Sequence, residues 1–343
     1  MSPFFCSLLF NIKLIFKTYL IATFETIKLN YINMKKIFTL ITLFSFSFVS
    51  YSQVSPNVKI FTNYHYDATD DNSDSRSFEL KRAYFGVKTK LSDDISAEVT
   101  FDVGNNTGGT AYTAFLKKAY MKWQVNDDFK LSMGMQSTTQ FNLLEKNWGF
   151  RYIMKSAQDQ YKFGSSADLG LVAVYSLGSN ISIDASFMNG EGYKNVQDAD
   201  GHIKSSVGVT FSPVDNLTLR GYSDREGATG PNSSTMSIGM HYKTGCFGFG
   251  YEKSDKDNYN NVAGDNRSVS SFYGSCSMEN DFTLLARRDN LEGDINTNSQ
   301  MTLIGVQKTL TKGLKAALNY QHVDSDDDSD DSEFVYLNLE IKF

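Results

Sequence analysis

Short segments in which apolar and polar residues alternate run through most of the chain, and this alternation limits how it can fold. In ISAEVTFDV (95–103), FKLSMGM (129–135), ISIDASF (181–187) and MSIGMHY (236–242), every second residue is apolar and the residues between are mostly polar or small. Successive side chains of a β-strand point to opposite faces, so this period predicts strands with one apolar and one polar face. The polar faces are too polar for a protein core, and the apolar faces are too continuous for a surface in water.

The connections between these segments alternate in length. Seven are short and rich in Asp, Asn and Gly, as in hairpin turns: 91–94, 125–128, 177–180, 212–216, 243–245, 279–281 and 310–313. Eight are longer and polar: 67–75, 104–110, 138–166, 190–201, 225–233, 255–266, 290–298 and 324–332. Together they predict sixteen strands.

This pattern predicts an all-β fold, a transmembrane antiparallel β-barrel of about sixteen strands with short periplasmic turns and long extracellular loops. Lipid offers no hydrogen-bond partner to a free sheet edge, so a sheet in the membrane must close on itself. The mean hydropathy of −0.33 fits, because alternation averages out the apolar signal. A soluble β-sandwich or propeller is the alternative, but it would have to hide ten or more amphipathic strands. A β-helix is disfavoured because no fixed-length repeat is found.

The chain ends inside one of these strands, FVYLNLEIKF (334–343). We predict that this strand closes the barrel by pairing with the first strand, near VKIFTNYHY (58–66), and that Val335 and every second residue after it face lipid. A last strand that ends in an aromatic residue, here Phe343, resembles the signal that the outer-membrane barrel-assembly machinery reads.

The first 52 residues do not share this pattern. Residues 34–52 have a basic start at Lys35 and Lys36, an apolar core over 37–49 and small residues before Gln53, which predicts a signal peptide. A membrane anchor is the weaker alternative because the core is short. We interpret residues 1–33 as an upstream mistranslation, with an extra hydrophobic helix as the alternative. The mature barrel is therefore expected to span 53–343.

The charge of the mature chain excludes a nucleic-acid partner. Residues 1–52 hold five of the 33 basic residues and one of the 39 acidic residues, which leaves 28 against 38 and a net charge of −10. No Cys/His cluster has metal-ligand spacing, so neither a metal nor a cofactor is expected. The acidic segments 67–75 and 324–332 lack the EF-hand pattern; they are expected either to be solvated or to bind divalent cations that bridge lipopolysaccharide phosphates.

Two cysteines remain in the mature chain, Cys246 and Cys276. Both are expected at the turn side of neighbouring strands, where their sulfurs could meet as a disulfide. Two free thiols are the alternative.

A sixteen-stranded barrel encloses an aqueous channel, and parity shows which charged residues should line it. The basic candidates are Arg82, Lys88, Lys118, Lys122, Lys130, Lys204, Arg220, Arg287 and Lys315. The acidic ones are Glu98, Asp102, Asp168, Asp184, Glu252 and Glu340. A slightly basic interior predicts either a mild anion preference or unselective diffusion. The first predicted strand starts close to residue 53, so no plug domain is expected.

The longest loop, 138–166, contains apolar residues that suggest it packs against something. We expect it to fold into the lumen as a constriction; a cap on the barrel rim is the alternative. Its basic residues exceed its acidic ones, Glu145 and Asp159, so the constriction would be mildly basic. The basic residues are Lys146, Arg151, Lys155 and Lys162.

Three segments resemble the outer-membrane porins of Gram-negative bacteria, and among them the phosphate-selective porin O and P type family. They are FELKRAYFGVKTKLSDDISAEVTFD (78–102), AYMKWQVNDDFKLSMGMQ (119–136) and SADLGLVAVYSLGSNISIDASFMNGEGY (166–193). The resemblance implies a sixteen-stranded barrel, a homotrimer, and a third loop that narrows the pore. The predicted lumenal arginines of this chain are few and lie among carboxylates. The resemblance therefore indicates a porin without indicating phosphate specificity.

We therefore expect a passive channel for small hydrophilic solutes or ions, and not an enzyme. One alternative is a barrel enzyme, a lipase or protease, which needs a Ser–His or Asp–His arrangement. His65 and His322 lie near loop ends without a sequence pattern that indicates such a partner. The other alternative is a receptor or adhesin.

Overall fold

The structure, a computed structural model, describes residues 54–69, 75–105, 112–294, 298–326 and 331–343. The predictions for residues 1–33 and for the signal peptide at 34–52 lie outside the described residues. Parts of the two acidic segments, 70–74 and 327–330, also lie outside them. Within the described ranges, no helix is both long and apolar enough to cross a membrane.

Sixteen strands account for most of the described chain. They are β1 (Ser55–Asp67), β2 (Arg76–Lys90), β3 (Ile95–Asn105), β4 (Tyr112–Gln124), β5 (Phe129–Ser137), β6 (Ala167–Leu177), β7 (Ile181–Met188), β8 (Lys204–Phe211), β9 (Leu217–Glu226), β10 (Ser233–Thr244), β11 (Phe247–Asp257), β12 (Arg267–Ser277), β13 (Phe282–Gly293), β14 (Ser299–Thr311), β15 (Leu314–Ser325) and β16 (Ser332–Lys342). Each strand pairs antiparallel with its sequence neighbours, and β1 pairs with β16, so the sheet is closed. The predicted sixteen-stranded antiparallel barrel is confirmed.

The last strand closes the barrel as predicted. Lys59 lies opposite Lys342, and the backbone bonds between Val58 and Phe343 (2.9 and 3.2 Å) extend the ladder to the last residue. Along β16 the alternation is clear, because Leu337 is 48% exposed and Asn338 is fully buried inside the barrel. The chain end is therefore held by pairing on both sides, whereas most chain ends fray.

Two β-bulges break the regular alternation next to each other on the wall. Phe61 lies opposite Arg82 and Thr62 opposite Leu80, so Lys81 is an extra residue on β2. In the same way, Lys117 is an extra residue on β4, because the residues on either side of it pair with two consecutive residues of β3. A bulge residue shifts the face pattern by one position. Each bulge therefore turns two consecutive basic residues towards the interior, a placement that strict parity does not predict.

Candidate functional site in the barrel interior

The loop between β5 and β6, residues 138–166, folds into the barrel and forms two helices, α1 (Thr139–Trp148) and α2 (Ala157–Gln160). Thr138 is the extended N-cap residue of α1. Gly149 ends α1 in a left-handed conformation (φ 78°) and donates its N–H to the carbonyl of Glu145. The buried residues of α1, at positions 140, 141, 144 and 148, give it a face directed at the wall.

The apolar side of this loop packs against the inner surface of the barrel. Trp148, Tyr152 and Ile153 are each at most 2% exposed. They form a cluster with wall residues Phe61, Tyr273, Leu285, Met301, Leu303 and Ala317. A second cluster contains Ala157 and Phe163 of the loop with Val269 and Leu291 of the wall. The burial of these apolar side chains stabilises the docked position of the loop.

The inner wall beneath the loop is apolar, and this signal was present in the sequence. In β13 and β14, FTLLARRDNL and MTLIGV have apolar residues on both faces. A strand that is apolar on both faces is covered on both sides, here by lipid outside and by the loop inside. Sequence reasoning missed this docking surface because it looked only for alternation.

Arg287 of β13 anchors the middle of the loop. Its guanidinium forms a two-pronged pair with the carboxylate of Asp289 (2.8 and 2.6 Å) and donates to the carbonyl of Lys155. It also lies 5.1 Å from the ring centre of Trp148. Both charged side chains of the pair are almost completely buried. Arg287 was predicted to line the pore, but it lies beneath the loop.

A second charged group holds the start of α1. Arg220 of β9 pairs with Asp184 of β7 and donates from Nε to the side-chain oxygen of Gln140 (3.1 Å). The hydroxyl of Thr139 donates to Oδ1 of the same carboxylate, at 2.5 Å, an oxygen that also accepts from Arg220. Arg220, another predicted pore-lining residue, therefore also contacts the loop and is buried by it.

An open space of about 430 Å³ remains between the loop and the wall made by β1 to β4. It is lined by Asn57, Lys59, Phe61, Tyr84, Glu98, Thr100, Lys117, Lys118, Ser137, Phe141, Asn142, Glu145, Lys146, Gly149, Arg151, Asp159, Ser166 and Glu340. A neighbouring space of about 320 Å³, lined by Lys88, Glu98, Tyr120 and Lys122 among others, lies nearer the short turns. The lining is mostly polar and charged, as a path for hydrated solutes requires.

Most predicted pore-lining cations in this wall are paired. Arg82 contacts Asp102 at 2.8 Å. Lys88 and Lys118 both contact Glu98, at 3.2 and 3.4 Å.

The other predicted pore-lining residues are more dispersed. Lys315 and Glu340 lie 3.7 Å apart. Lys130 has inward parity on β5, at the short-turn end of the strand. Lys204 is buried between Asp224 and Glu226, with contacts of 3.4 and 3.0 Å. The structure therefore brings only part of the predicted set to the open space.

The predicted basic residues of the loop also differ in their surroundings. Arg151 pairs with Glu145 (3.1 Å) and Asp159 (3.6 Å), and Lys155 also contacts Asp159 (3.6 Å). Burial raises the pKa of Glu145, and Arg151 opposes this shift. Burial also lowers the pKa of Lys155.

The remaining two loop cations are exposed. Lys146 lines the open space. Lys162 has a left-handed backbone (φ 60°) and makes no contact with that space.

The residue that sequence reasoning missed is Lys117. The bulge turns it inward beside Lys118, and it is 8% exposed. Its ammonium group donates to the hydroxyl of Tyr84 (3.3 Å) and lies 4.0 Å from Asp102. The first four strands consequently carry more inward cations than carboxylates. The cations are Lys59, Lys81, Arg82, Lys88, Lys90, Lys117, Lys118 and Lys122; the carboxylates are Glu79, Glu98 and Asp102.

The two cysteines meet at the short-turn end of the barrel. Their Sγ atoms lie 2.7 Å apart, with Cys276 opposite Phe247 and Cys246 next to it. Both are free thiols in the structure. The disulfide stays a prediction.

A group of carboxylates lies in the loop between β7 and β8. Within the described residues, Glu191, Asp198 and Asp200 bring carboxylate oxygens within 4.8 Å of one another. Both aspartates are exposed, and exposed acidic groups often cluster without a metal, so we assign none here.

One histidine has the partners that the sequence did not indicate. His65 Nε2 lies 3.3 Å from the hydroxyl of Ser77, and its Nδ1 lies 3.3 Å from the side-chain oxygen of Asn63. Asn63 in turn donates to Glu79 at 3.0 Å, which fixes the orientation of its amide. His322 contacts Glu333 at 3.2 Å. The order Ser–His–Asn has the same sequence of roles, hydroxyl, base and orienting group, as the triads of hydrolytic enzymes.

Comparison with known proteins finds a family and a set of related folds. The family model for phosphate-selective porin O and P matches residues 54–170, which confirms the resemblance inferred from the sequence. No curated protein sequence matches the chain.

Solved structures with the same fold are outer-membrane proteins. An anion-selective porin from Comamonas acidovorans has a TM-score of 0.65 at 10% identity, covering 85% of this chain and 99% of that one. OmpF of Salmonella typhi, in complex with daunomycin, has a TM-score of 0.66 at 8% identity, covering 84% and 97%. OmpT of Vibrio cholerae, in its trimer form, has a TM-score of 0.59 at 10% identity, covering 85% and 99%. At these identities the likeness shows the fold. The family match and the fold together support an outer-membrane channel over an enzyme or an adhesin.

Proposed function

We propose that this protein is an outer-membrane porin, a passive diffusion channel for small hydrophilic solutes and ions. One observation carries the proposal: a closed sixteen-stranded barrel contains a docked loop, 138–166, beside an open space lined by polar and charged residues. The loop narrows the lumen without filling it. Passage through such a site needs no chemical step, and the protein is accordingly proposed to be non-enzymatic.

The open space carries a weak preference for anions. Its wall on β1 to β4 is rich in lysine and arginine, and charged side chains that line a pore bias which ions enter. Glu98 and Asp102 contact several of these cations, however, and reduce the field that a passing ion meets. We infer a modest preference for small anions, phosphate among them, rather than specificity for phosphate.

The cellular setting follows from the same proposal. The chain is exported by the signal peptide at 34–52 and is inserted by the barrel-assembly machinery through the strand that ends at Phe343. It lies in the outer membrane of a Gram-negative bacterium, in contact with lipopolysaccharide. The trimer form of the Vibrio cholerae protein supports a homotrimer here.

Single-channel recording in a planar bilayer tests this function. Protein expressed from Met34 is purified from outer membranes, its folded state is checked by heat-modifiable gel mobility, and current is recorded across a salt gradient. Discrete current steps are expected, with a reversal potential that shows chloride to be more permeant than the cation. Current steps without ion selectivity would contradict the anion preference but not the porin function. Folded protein that gives no current would contradict the channel function.

The enzyme alternative has one observation in its favour, the Ser77–His65–Asn63 arrangement. Both contacts of the imidazole are 3.3 Å, long for a hydrogen bond that must transfer a proton. A short-chain ester assay on folded protein, with Ser77→Ala as the control, separates the two functions. We expect no hydrolysis above the Ser77→Ala variant; turnover that disappears in this variant would establish an esterase.

A further inference from the structure

Loop 189–203, between β7 and β8, is tied at its base to the wall of the barrel. The buried carboxylate of Asp168 accepts bonds from the backbone N–H groups of Gly190 (2.8 Å) and Gly192 (3.2 Å). Gly192 has φ +79°, and a Cβ there would lie 2.4 Å from the hydroxyl of Ser165. Ser165 belongs to the end of loop 138–166. The two loops therefore pack against each other where they leave the sheet, and only glycine fits at this contact.

One side chain near the start of this loop reaches a different part of the wall. The hydroxyl of Tyr193 donates to Oδ2 of Asp102 on β3 at 2.9 Å. Two strands, β4 and β5, separate β6 from β3, an arc of about 14 Å along the wall at about 4.8 Å per strand. The backbone N–H of Tyr193 is fixed to the carbonyl of Ala167 on β6 (3.0 Å). One side chain does not cover that arc along the wall, so the tyrosine ring lies across the interior.

The ring of Tyr193 brings loop 189–203 among the inward cations. The ammonium of Lys117 lies 5.0 Å from the centre of this ring, and the ammonium of Lys194 lies 5.4 Å from the ring of Phe115 on β4. Burial, and then the nearby charge of Arg82, lower the pKa of Lys194. Lys155 of loop 138–166 also contributes to this shift. Cations from both loops and from the wall thus share one region of the lumen.

We propose that loop 189–203 is a second constriction element, in which Tyr193 positions the loop across the lumen and Lys194 sets part of the ion selectivity. The proposal rests on the channel function proposed above. It means that the narrow part of the pore is made by two loops. The phenolic hydroxyl holds the loop inward through one hydrogen bond, to the carboxylate that also pairs with Arg82.

Single-channel currents of substituted proteins test the positioning role of Tyr193 and the selectivity role of Lys194 separately. Tyr193→Phe keeps the ring and removes the hydrogen bond to a charged acceptor, so the time spent in a higher-conductance state is expected to rise about tenfold. Tyr175→Phe, at an exposed position on the outer face of β6, is the matched control and should leave the current unchanged.

Lys194→Gln tests selectivity. The anion-to-cation permeability ratio is expected to fall by about a factor of two, the effect in water of one unit charge taken as about 8 Å from the ion path when salt screens it over a Debye length of about 8 Å. Lys312→Gln makes the same charge change in the short turn between β14 and β15 and should leave the ratio at the wild-type value.

The outcomes separate this inference from the channel function. A folded wild-type protein that gives no current contradicts the channel itself. A wild-type protein that conducts, with Tyr193→Phe and Lys194→Gln variants that behave like their controls, overturns only the second constriction. Heat-modifiable mobility of each variant shows that the barrel has formed before current is recorded.

Discussion

Arg287 offers the sharpest test of how loop 138–166 is held inside the barrel. Its buried guanidinium pairs with Asp289 (2.8 and 2.6 Å), donates to the carbonyl of Lys155 and lies 5.1 Å from the ring of Trp148. We consider Arg287→Met, which keeps most of the side-chain volume and removes the charge. All three interactions are lost, and the carboxylate of Asp289 is left buried without its partner.

The size of the effect follows from these contacts. Removing one partner of a buried ion pair costs about 3–5 kcal/mol, chiefly because the other charge stays buried. The bond to the Lys155 carbonyl contributes about 1.5–3 kcal/mol, and the contact with the Trp148 ring about 0.5–2 kcal/mol. In Arg287→Met/Asp289→Asn the stranded charge is removed. The double variant should therefore be more stable than the single variant by about 2 kcal/mol, after the cost of a buried amide.

The measurement uses a natural reporter. The chain has two tryptophans, and Trp123 lies on the outer face. In a Trp123→Phe background, the fluorescence of Trp148 reports whether the loop is docked, and urea unfolding in lipid vesicles reports stability. Both Arg287 variants should show red-shifted emission and larger conductance. Lys312→Met, which removes a cation from the exposed short turn between β14 and β15, is the control and should change stability by less than about 1 kcal/mol.

Two results would refute this reasoning. If the double variant were no more stable than the single one, the stranded charge of Asp289 would not be the source of the loss. If Trp148 fluorescence and conductance stayed at wild-type values in both variants, the contacts of Arg287 would not hold the loop.

Three further predictions concern other parts of the molecule. Cys246 and Cys276 should be joined when the protein is isolated without reductant: the intact mass should be lower by two hydrogens, and alkylation should fail until a reductant is added, whereas labelling of both thiols before reduction would contradict the bond. Because burial raises the pKa of Glu145, the docked state of the loop gains stability below the ordinary pKa of 4.5 and loses that gain as the pH rises through the raised pKa. Conductance should therefore fall in acid in the wild type but not in Glu145→Gln. Equal pH profiles of conductance in the two proteins would contradict this role of Glu145. Lys117→Gln should lower the anion-to-cation permeability ratio by about a factor of two after salt screening, measured as a reversal potential, while Lys122→Gln in the neighbouring space near the short turns should change it less.

The apolar inner wall departs from the usual division of a barrel into an apolar outer face and a polar inner face. Leu285, Leu303 and Ala317 face inward and are almost completely buried. In an open aqueous channel they would contact water at a cost of about 25 cal/mol per Å² of apolar area. Loop 138–166 covers them with Trp148 and Ile153. One side of the lumen is thereby dry and packed, and the charged side opposite is left for solutes.

The sequence by itself determined the strands, their number and their closure. Alternation of period two assigns each side chain to a face, and the alternation of short turns with long loops orders the strands up and down. These signals are local, and the membrane leaves a closed sheet as the solution for such strands because free edges have no hydrogen-bond partners in lipid. The pairing of residues 334–343 with the first strand followed from the same logic.

Only the tertiary structure decided what lies in the lumen. Parity holds while the register is unbroken, and the bulges at Lys81 and Lys117 shift it by one residue, which cannot be seen in the sequence of one strand. The positions of the loops depend on contacts between residues far apart in the chain, such as Tyr193 with Asp102 and Arg287 with the carbonyl of Lys155. Such contacts form only once closure has brought the strands around a common interior, so a local pattern cannot specify them.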